Sequence, residues 1–293
     1  MVGELILGMP ATSELKNELV KPFLKWAGGK RQLQEVLRAN LPRQWDRNSK
    51  CYFEPFIGGG AMFFDLQPPL ATISDRNPQL INCYEVIRDA VDELIEELKK
   101  HRNEESYYYN LRDWDRNDIL STKSKVESAA RIIFLNKTCY NGLFRVNSSG
   151  QFNVPFGRYN NPNILDISVL KAVSEYLQLS KINILDQDFQ EAVKNAQSGD
   201  FIYFDPPYDP VSTTASFTSY YINKFDKDEQ IRLKKTIDEL SLRGCHILLS
   251  NAYTDFIRDL YQDYQQVKVL ATRSINSVAT KRGTVEELLI KNY

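Results

Sequence analysis

A chain of 293 residues, 42% apolar and 26% charged, has the composition of an ordinary globular protein with room for one large core or two. The net charge of −1 excludes a uniformly basic nucleic-acid binder, and only His101 and His246 are present, which argues against a histidine metal site or catalytic triad. Four scattered cysteines (Cys51, Cys83, Cys139, Cys245) lack metal-like pairing and point to a reducing, cytoplasmic setting, and no run approaches the roughly 20 apolar residues that span a membrane.

Met1 to Ser13 is mildly apolar but has no basic start, so residues 1–20 read as an N-terminal extension rather than a signal peptide. Phe23-Leu24-Lys25-Trp26-Ala27-Gly28-Gly29-Lys30-Arg31 follows. A tryptophan, a glycine pair and two cations could clasp a small polar ligand that carries a carboxylate, or could be a core tryptophan with surface basics. A helical pattern covers 30–40, and strand-like runs appear at 51–53 and 71–74.

Between those strands, Glu54-Pro55-Phe56-Ile57-Gly58-Gly59-Gly60 forms a glycine-rich turn ahead of a helical pattern over 58–66. Glycines let the backbone approach a ligand closely, although the spacing is neither the dinucleotide fingerprint nor a phosphate-binding loop. Asp75 ends the second strand, where an acid either accepts hydrogen bonds from a ribose diol or caps the helix starting near Pro78.

Residues 76–180 then separate the second strand from the third at 181–185. That is too long for a crossover, so an inserted domain is expected there. It shows helical patterns at 78–100 and 126–137. At 138–163, glycines and polar residues interleave with Phe144, Val146, Phe152 and Val154, as in a β-hairpin. After the third strand, Asp188-Phe189 has two readings: a contact bordering a nucleoside base, or a cap for a helix at 188–196.

The fourth strand, Phe201-Ile202-Tyr203-Phe204, stops at Asp205-Pro206-Pro207-Tyr208. Two prolines remove two backbone donors and hold the chain extended, leaving a carboxylate and carbonyls beside an aromatic plate. Such a group suits an exocyclic amine on a flat ring; a plain surface turn is the alternative. A polar stretch from Asp209 to Phe225, a helical pattern at 226–242 and strands at 245–250, 266–270 and 286–291 complete the chain. Strands alternating with helices indicate an α/β domain with a mostly parallel sheet.

Charge is unevenly spread. Segments 131–160 (Arg131, Lys137, Arg145, Arg158) and 264–285 (Lys268, Arg273, Lys281, Arg282) contain no acid, and 21–50 holds eight basic residues against Glu35 and Asp46. Acids gather at 85–118 and 226–239 instead. A basic side of this kind suits phosphate contact; solvated charge is the alternative.

From Lys21 to Tyr293 these segments resemble, in order, the Dam-type (α-group) DNA adenine-N6 methyltransferases. The resemblance rests on the 23–30 and 53–61 segments, Asp75, Tyr140-Asn141-Gly142-Leu143-Phe144-Arg145-Val146-Asn147, Phe152-Asn153-Val154-Pro155-Phe156-Gly157, Asp188-Phe189 and Asp205-Pro206-Pro207-Tyr208. It implies a doubly wound, Rossmann-like methyltransferase sheet, mostly parallel with the last strand reversed. Residues 21–75 and 181–293 would form the catalytic domain, and 76–180 a mainly helical target-recognition domain carrying the hairpin.

S-adenosyl-L-methionine is the implied cofactor, held by Trp26, Lys30, Phe56, Gly58, Gly60, Asp75, Asp188, Phe189 and Asp205. Catalysis falls to Asp205, Pro206, Pro207 and Tyr208, with no metal. Double-stranded DNA is the implied partner, contacted by Tyr140, Asn141, Phe144, Arg145 and Pro155, with Arg145 reading a guanine and GATC the expected site. The enzyme would act as a monomer on an extruded adenine, alone or beside a restriction endonuclease that cuts the same site without touching it. The competing readings are an amine methyltransferase acting on RNA or protein glutamine, and a catalytically silent DNA-binding module.

Overall fold

The computed structural model describes residues 16–26, 33–210, 225–272 and 284–293. Its centre is a seven-stranded sheet of β1 (Tyr52–Glu54), β2 (Leu70–Asp75), β3 (Lys181–Asp186), β4 (Phe201–Phe204), β5 (His246–Ala252), β6 (Gln265–Thr272) and β7 (Thr284–Lys291). The spatial order is β3-β2-β1-β4-β5-β7-β6. All strands run parallel except β7, which lies antiparallel between β5 and β6.

Residues of β1 and β4 are buried throughout, as expected for central strands covered on both faces. Alternation along β4 sends Phe201 and Tyr203 into one core layer and Ile202 and Phe204 into the other. The chain winds outwards from β1 through β2 to β3, returns to β4 beside β1, and continues the other way. The junction of β1 and β4 is therefore the point where strand order reverses, and the crevice beyond their C-terminal ends is where ligands bind in open α/β sheets.

Helices α1 (Gln34–Ala39), α2 (Ala61–Leu66), α8 (Phe189–Ala192) and α9 (Lys227–Leu242) fall within the expected helical segments. The pattern at 78–100 resolves into α3 (Pro78–Asp89) and α4 (Val91–Leu98), broken where Ala90 leaves the helical region at φ −146° and ψ 45°. Helix α6 (Lys125–Thr138) opens with a capping box, in which Ser124 and Glu127 satisfy each other's backbone N–H groups. Helices α5 (Glu105–Arg112), α7 (Ile167–Leu179) and α10 (Asp255–Leu260) were not expected from the sequence.

Two apolar layers flank the sheet. One, containing Phe53, Phe189, Ile202, Leu233, Ile237 and Leu249, sits beneath α8 and α9. The other contains Phe63, Ile73 and Tyr84 and continues without a break to Phe134, Phe144 and Phe152. The inserted segment thus shares a core with one face of the sheet. Its hairpin is pinned by two bridges, Cys139 to Phe156 and Val146 to Phe152. At the tip, Asn147 Oδ1 accepts from the N–H groups of Ser149 and Gln151, and Gly150 turns at φ +76°. Among the described residues, no helix is long and apolar enough to cross a membrane.

Candidate active site

The glycine turn and Asp75 meet at the sheet's C-terminal edge. Gly58 N–H donates to Asp75 Oδ2 at 3.1 Å, Ile57 N–H donates to the Ser74 carbonyl at 2.9 Å, and Tyr84 Oη donates to the Gly58 carbonyl at 3.0 Å. Asp75 is only 2% exposed, and its other oxygen accepts from Asn77 N–H at 3.0 Å. Asn77, not Asp75, caps α3, its Oδ1 accepting from Gln79 and Leu80. Asp75 therefore shapes the turn rather than starting a helix.

Gly58 adopts φ +45°, and a Cβ there would lie 2.8 Å from the Trp26 indole, so the missing side chain is what lets Trp26 lie across the turn. Lys30 lies outside the described residues.

On the opposite wall, Phe56 stacks on Phe189 with centroids 5.4 Å apart, and Phe225 meets Phe56 edge-on at 5.6 Å. Phe189 is fully buried, with the Arg232 guanidinium 4.0 Å from its ring centroid. Asp188 caps α8 through Gln190 N–H and forms a two-pronged pair with Arg232 at 2.7 and 2.8 Å. Burial would raise the Asp188 carboxyl, but Arg232 and the cap outweigh it and hold the group low. Phe189 and Asp188 thus set the position of Phe56 from behind.

Asp205-Pro206-Pro207-Tyr208 leaves the end of β4 next to this turn. Its backbone is gripped on both sides of Tyr208 by a buried amide pair the sequence did not reveal. Gln230 Nε2 donates to the Pro207 carbonyl at 3.0 Å and Asn251 Nδ2 donates to Gln230 Oε1 at 3.0 Å, while Asn251 Oδ1 accepts from Asp209 N–H at 3.1 Å. With the Pro207 carbonyl taken, no hydrogen bond from the described residues reaches the Pro206 carbonyl.

Tyr208 Oη donates to Glu287 Oε2 of β7 at 2.7 Å, fixing the ring. Burial, with the carboxylates of Asp205 and Glu287, pushes this phenol well above its ordinary range. Glu54 lies nearby at the end of β1, accepting from Tyr52 Oη at 2.6 Å. Burial raises its carboxyl well above the usual range against that bond, and Asp205 adds to the rise.

The hairpin exposes Tyr140 (44%), Asn141, Arg145 and Pro155. Asn141 sits at φ +56° with its N–H donating to Tyr159 Oη at 3.1 Å, and Tyr140 N–H donates to the Pro155 carbonyl at 2.9 Å.

Two residues depart from the sequence reading. Phe144, expected to contact DNA, is only 4% exposed; its ring stacks on Trp26 at 5.3 Å and meets Phe152 edge-on. Extended backbone alternates its side chains, so Leu143 and Arg145 take the side Phe144 lacks, and Leu143 is the neighbour a period of two would have singled out. Arg131, counted with the basic segment, is fully buried and pairs with Asp115 at 2.9 Å, so it offers nothing to phosphate.

Known proteins resemble this chain along most of its length. The profile of the D12 class N6 adenine-specific DNA methyltransferases matches residues 26–275. Type II methyltransferase M1.LlaDCHI of Lactococcus lactis subsp. cremoris is 44% identical over 281 residues, covering 95% of this chain and 98% of that protein. Type II methyltransferase M.MjaIII of Methanocaldococcus jannaschii is 46% identical over 290 residues, covering 94% and 99%. The DNA adenine methylase of Escherichia coli K12 is 31% identical over 277 residues, covering 92% and 94%. With a family profile covering most of its length and relatives above 30% identity aligned nearly end to end, the chain belongs to the D12 class N6 adenine-specific DNA methyltransferase family.

Proposed function

We propose that this enzyme methylates N6 of adenine in duplex DNA, most specifically at GATC, using S-adenosyl-L-methionine. The observation that carries the proposal is the rigid Asp205-Pro206-Pro207-Tyr208 segment at the β1/β4 crevice, gripped by Gln230, Asn251 and Glu287. The donor fits the other half of that crevice. The side chain absent at Gly58 leaves backbone and indole to form a floor, Phe56 offers an aromatic wall, and Asp75 supplies a buried acid. Trp26, Phe56, Gly58, Gly60, Asp75 and Asp205 would hold it, with Asp188 and Phe189 supporting the wall. When bound, the sulfonium supplies an already activated methyl group.

The adenine amine is a poor nucleophile because its lone pair is delocalised into the ring. The Asp205 carboxylate and the Pro206 carbonyl accept hydrogen bonds from its two N–H groups and localise the lone pair on nitrogen, one of those protons leaving through Asp205 as nitrogen gains the methyl, while Tyr208 stacks on the base and fixes its plane. A base inside a duplex cannot reach this crevice, so the adenine is extruded, at a cost of a few kcal/mol. Tyr140, Asn141, Arg145 and Pro155 read the site, with GATC inferred from the hairpin sequence Tyr140 to Asn147 and Arg145 directed at guanine O6 and N7. The enzyme acts as a monomer and need not touch any endonuclease that shares its site.

The test is methyl transfer to duplexes that contain or lack GATC, and to RNA of the same sequence, by the wild type and by Asp205→Ala. Transfer confined to GATC duplexes, and lost with an unchanged melting profile in Asp205→Ala, is expected. Near-native turnover by that variant would overturn the mechanism, and methylation of RNA would overturn the substrate.

A further inference from the structure

An exposed arginine samples many rotamers, and reading a guanine requires choosing one of them. Arg145 is exposed, yet it is already held. Its Nε donates to Asn153 Oδ1 at 2.7 Å and its Nη2 donates to the Asn153 carbonyl at 3.3 Å, so one residue grips the side edge of the guanidinium. The end of the fork, Nη1 with the remaining Nη2 hydrogen, points away from that grip. This is the edge that can make two parallel bonds to guanine O6 and N7.

Asn153 is itself anchored. Its N–H donates to the Arg145 carbonyl at 2.9 Å. The preceding residue is clamped at both polar groups, with Phe152 N–H donating to Asp115 Oδ2 at 2.8 Å and the Phe152 carbonyl accepting from Arg116 Nη2 at 2.7 Å. Asp115 is tied in turn to the buried Arg131 of α6. A line of bonds thus runs from the helical core of the inserted segment to the tip of one arginine.

We propose that Asn153 is a specificity-determining positioning residue, which presets the Arg145 guanidinium edge-on before DNA arrives. The inference rests on Arg145 being the guanine reader. Sequence gave no sign of it, because Asn153 is separated from Arg145 by the hairpin tip and only the fold brings the two together.

The experiment measures kcat/KM on the target duplex and on duplexes with each guanine replaced in turn, for wild type, Asn153→Ala, Arg145→Ala, the double variant and Asn153→Asp. Melting curves accompany each protein. Asn153→Ala should reduce discrimination about ten-fold at one guanine, the same one affected by Arg145→Ala. In the Arg145→Ala background it should change discrimination by less than about two-fold. Asn153→Asp, which keeps the side-chain acceptor, should restore discrimination.

If Arg145→Ala relaxes no single position, the guanine-reading assignment fails and the positioning role falls with it. If Arg145→Ala relaxes one position and Asn153→Ala does not, only the positioning role is overturned. A uniform loss on every duplex, unrepaired by Asn153→Asp, would make Asn153 a structural or phosphate-contacting residue and also overturn it.

Discussion

Replacing Asn251 with alanine probes how firmly the Asp205-to-Tyr208 segment must be held. Asn251 and Gln230 are both buried, and together they satisfy the Pro207 carbonyl and the Asp209 N–H on either side of Tyr208. Truncating Asn251 leaves three buried groups, Gln230 Oε1 and the N–H groups of Asp209 and Ala252, without these partners. Each orphaned group costs about 1–3 kcal/mol, so the variant should lose roughly 3–9 kcal/mol in urea denaturation. At about 2 °C per kcal/mol for a chain of this size, melting falls by roughly 6–18 °C.

Gln230→Ala orphans the Pro207 carbonyl and Asn251 Nδ2 in the same way. The double variant removes both ends of the shared bond, so its cost should fall short of the sum by at least about 1–2 kcal/mol. Turnover should drop in both single variants at temperatures where they remain folded, because Tyr208 and the Pro206 carbonyl lose their fixed positions. Strict additivity of the stability losses, or full kcat in Asn251→Ala, would refute the claim that this pair holds the motif.

Gly58→Ala must accept φ near +45° and move Trp26 aside, since the new Cβ would lie 2.8 Å from its indole. The left-handed backbone costs about 1–2 kcal/mol, and calorimetry should show donor binding weakened about ten-fold; unchanged affinity would remove Gly58 and Trp26 from the donor site. Glu127 is held down to about 2, first by its bond from the Ser124 backbone and then by Lys123. A carboxyl depressed on folding stabilises the folded state above its ordinary value near 4.5 and loses that effect as pH falls towards 2. The stability gap between wild type and Glu127→Gln, about 1 kcal/mol at pH 7, should therefore close across that window, and a gap independent of pH would exclude the ionic contribution.

What the sequence revealed follows from which interactions are local. The strand Phe201–Phe204 coincides with its apolar run because the two prolines after Asp205 end it in the sequence itself. Helix α6 nearly coincides with the helical pattern at 126–137, and the Ser124 and Glu127 capping box that starts it is equally local, although the pattern alone did not invoke it. Helices α5 and α10 are short, whereas α7 carries a local signal that went unread: an Asp166 cap followed by Val169, Leu170, Val173 and Leu177 at helical spacing.

Asp75 and Asp205 stood out as candidates by residue type at strand ends, where the fold places them, whereas residues that converge on the same region from a distance were illegible. Asn251 reaches the segment after β4 from the end of β5, Gln230 from α9 and Glu287 from β7. Phe144 and Arg131 were misplaced for the converse reason: an aromatic or a cation within a contact-rich segment reads as exposed until its partners, Trp26 and Asp115, are seen.

The position of β7 also fixes the order in which this enzyme becomes competent during synthesis. Strand β7 fills the slot between β5 and β6, and its Glu287 holds Tyr208, a residue made some eighty positions earlier. A nascent chain that has produced the glycine turn, the hairpin and the Asp205-to-Tyr208 segment still has an open edge on β5 and lacks the Glu287 bond to Tyr208. The sheet beside the Asp205-to-Tyr208 segment is therefore completed only when residues 284–291 have been made and inserted.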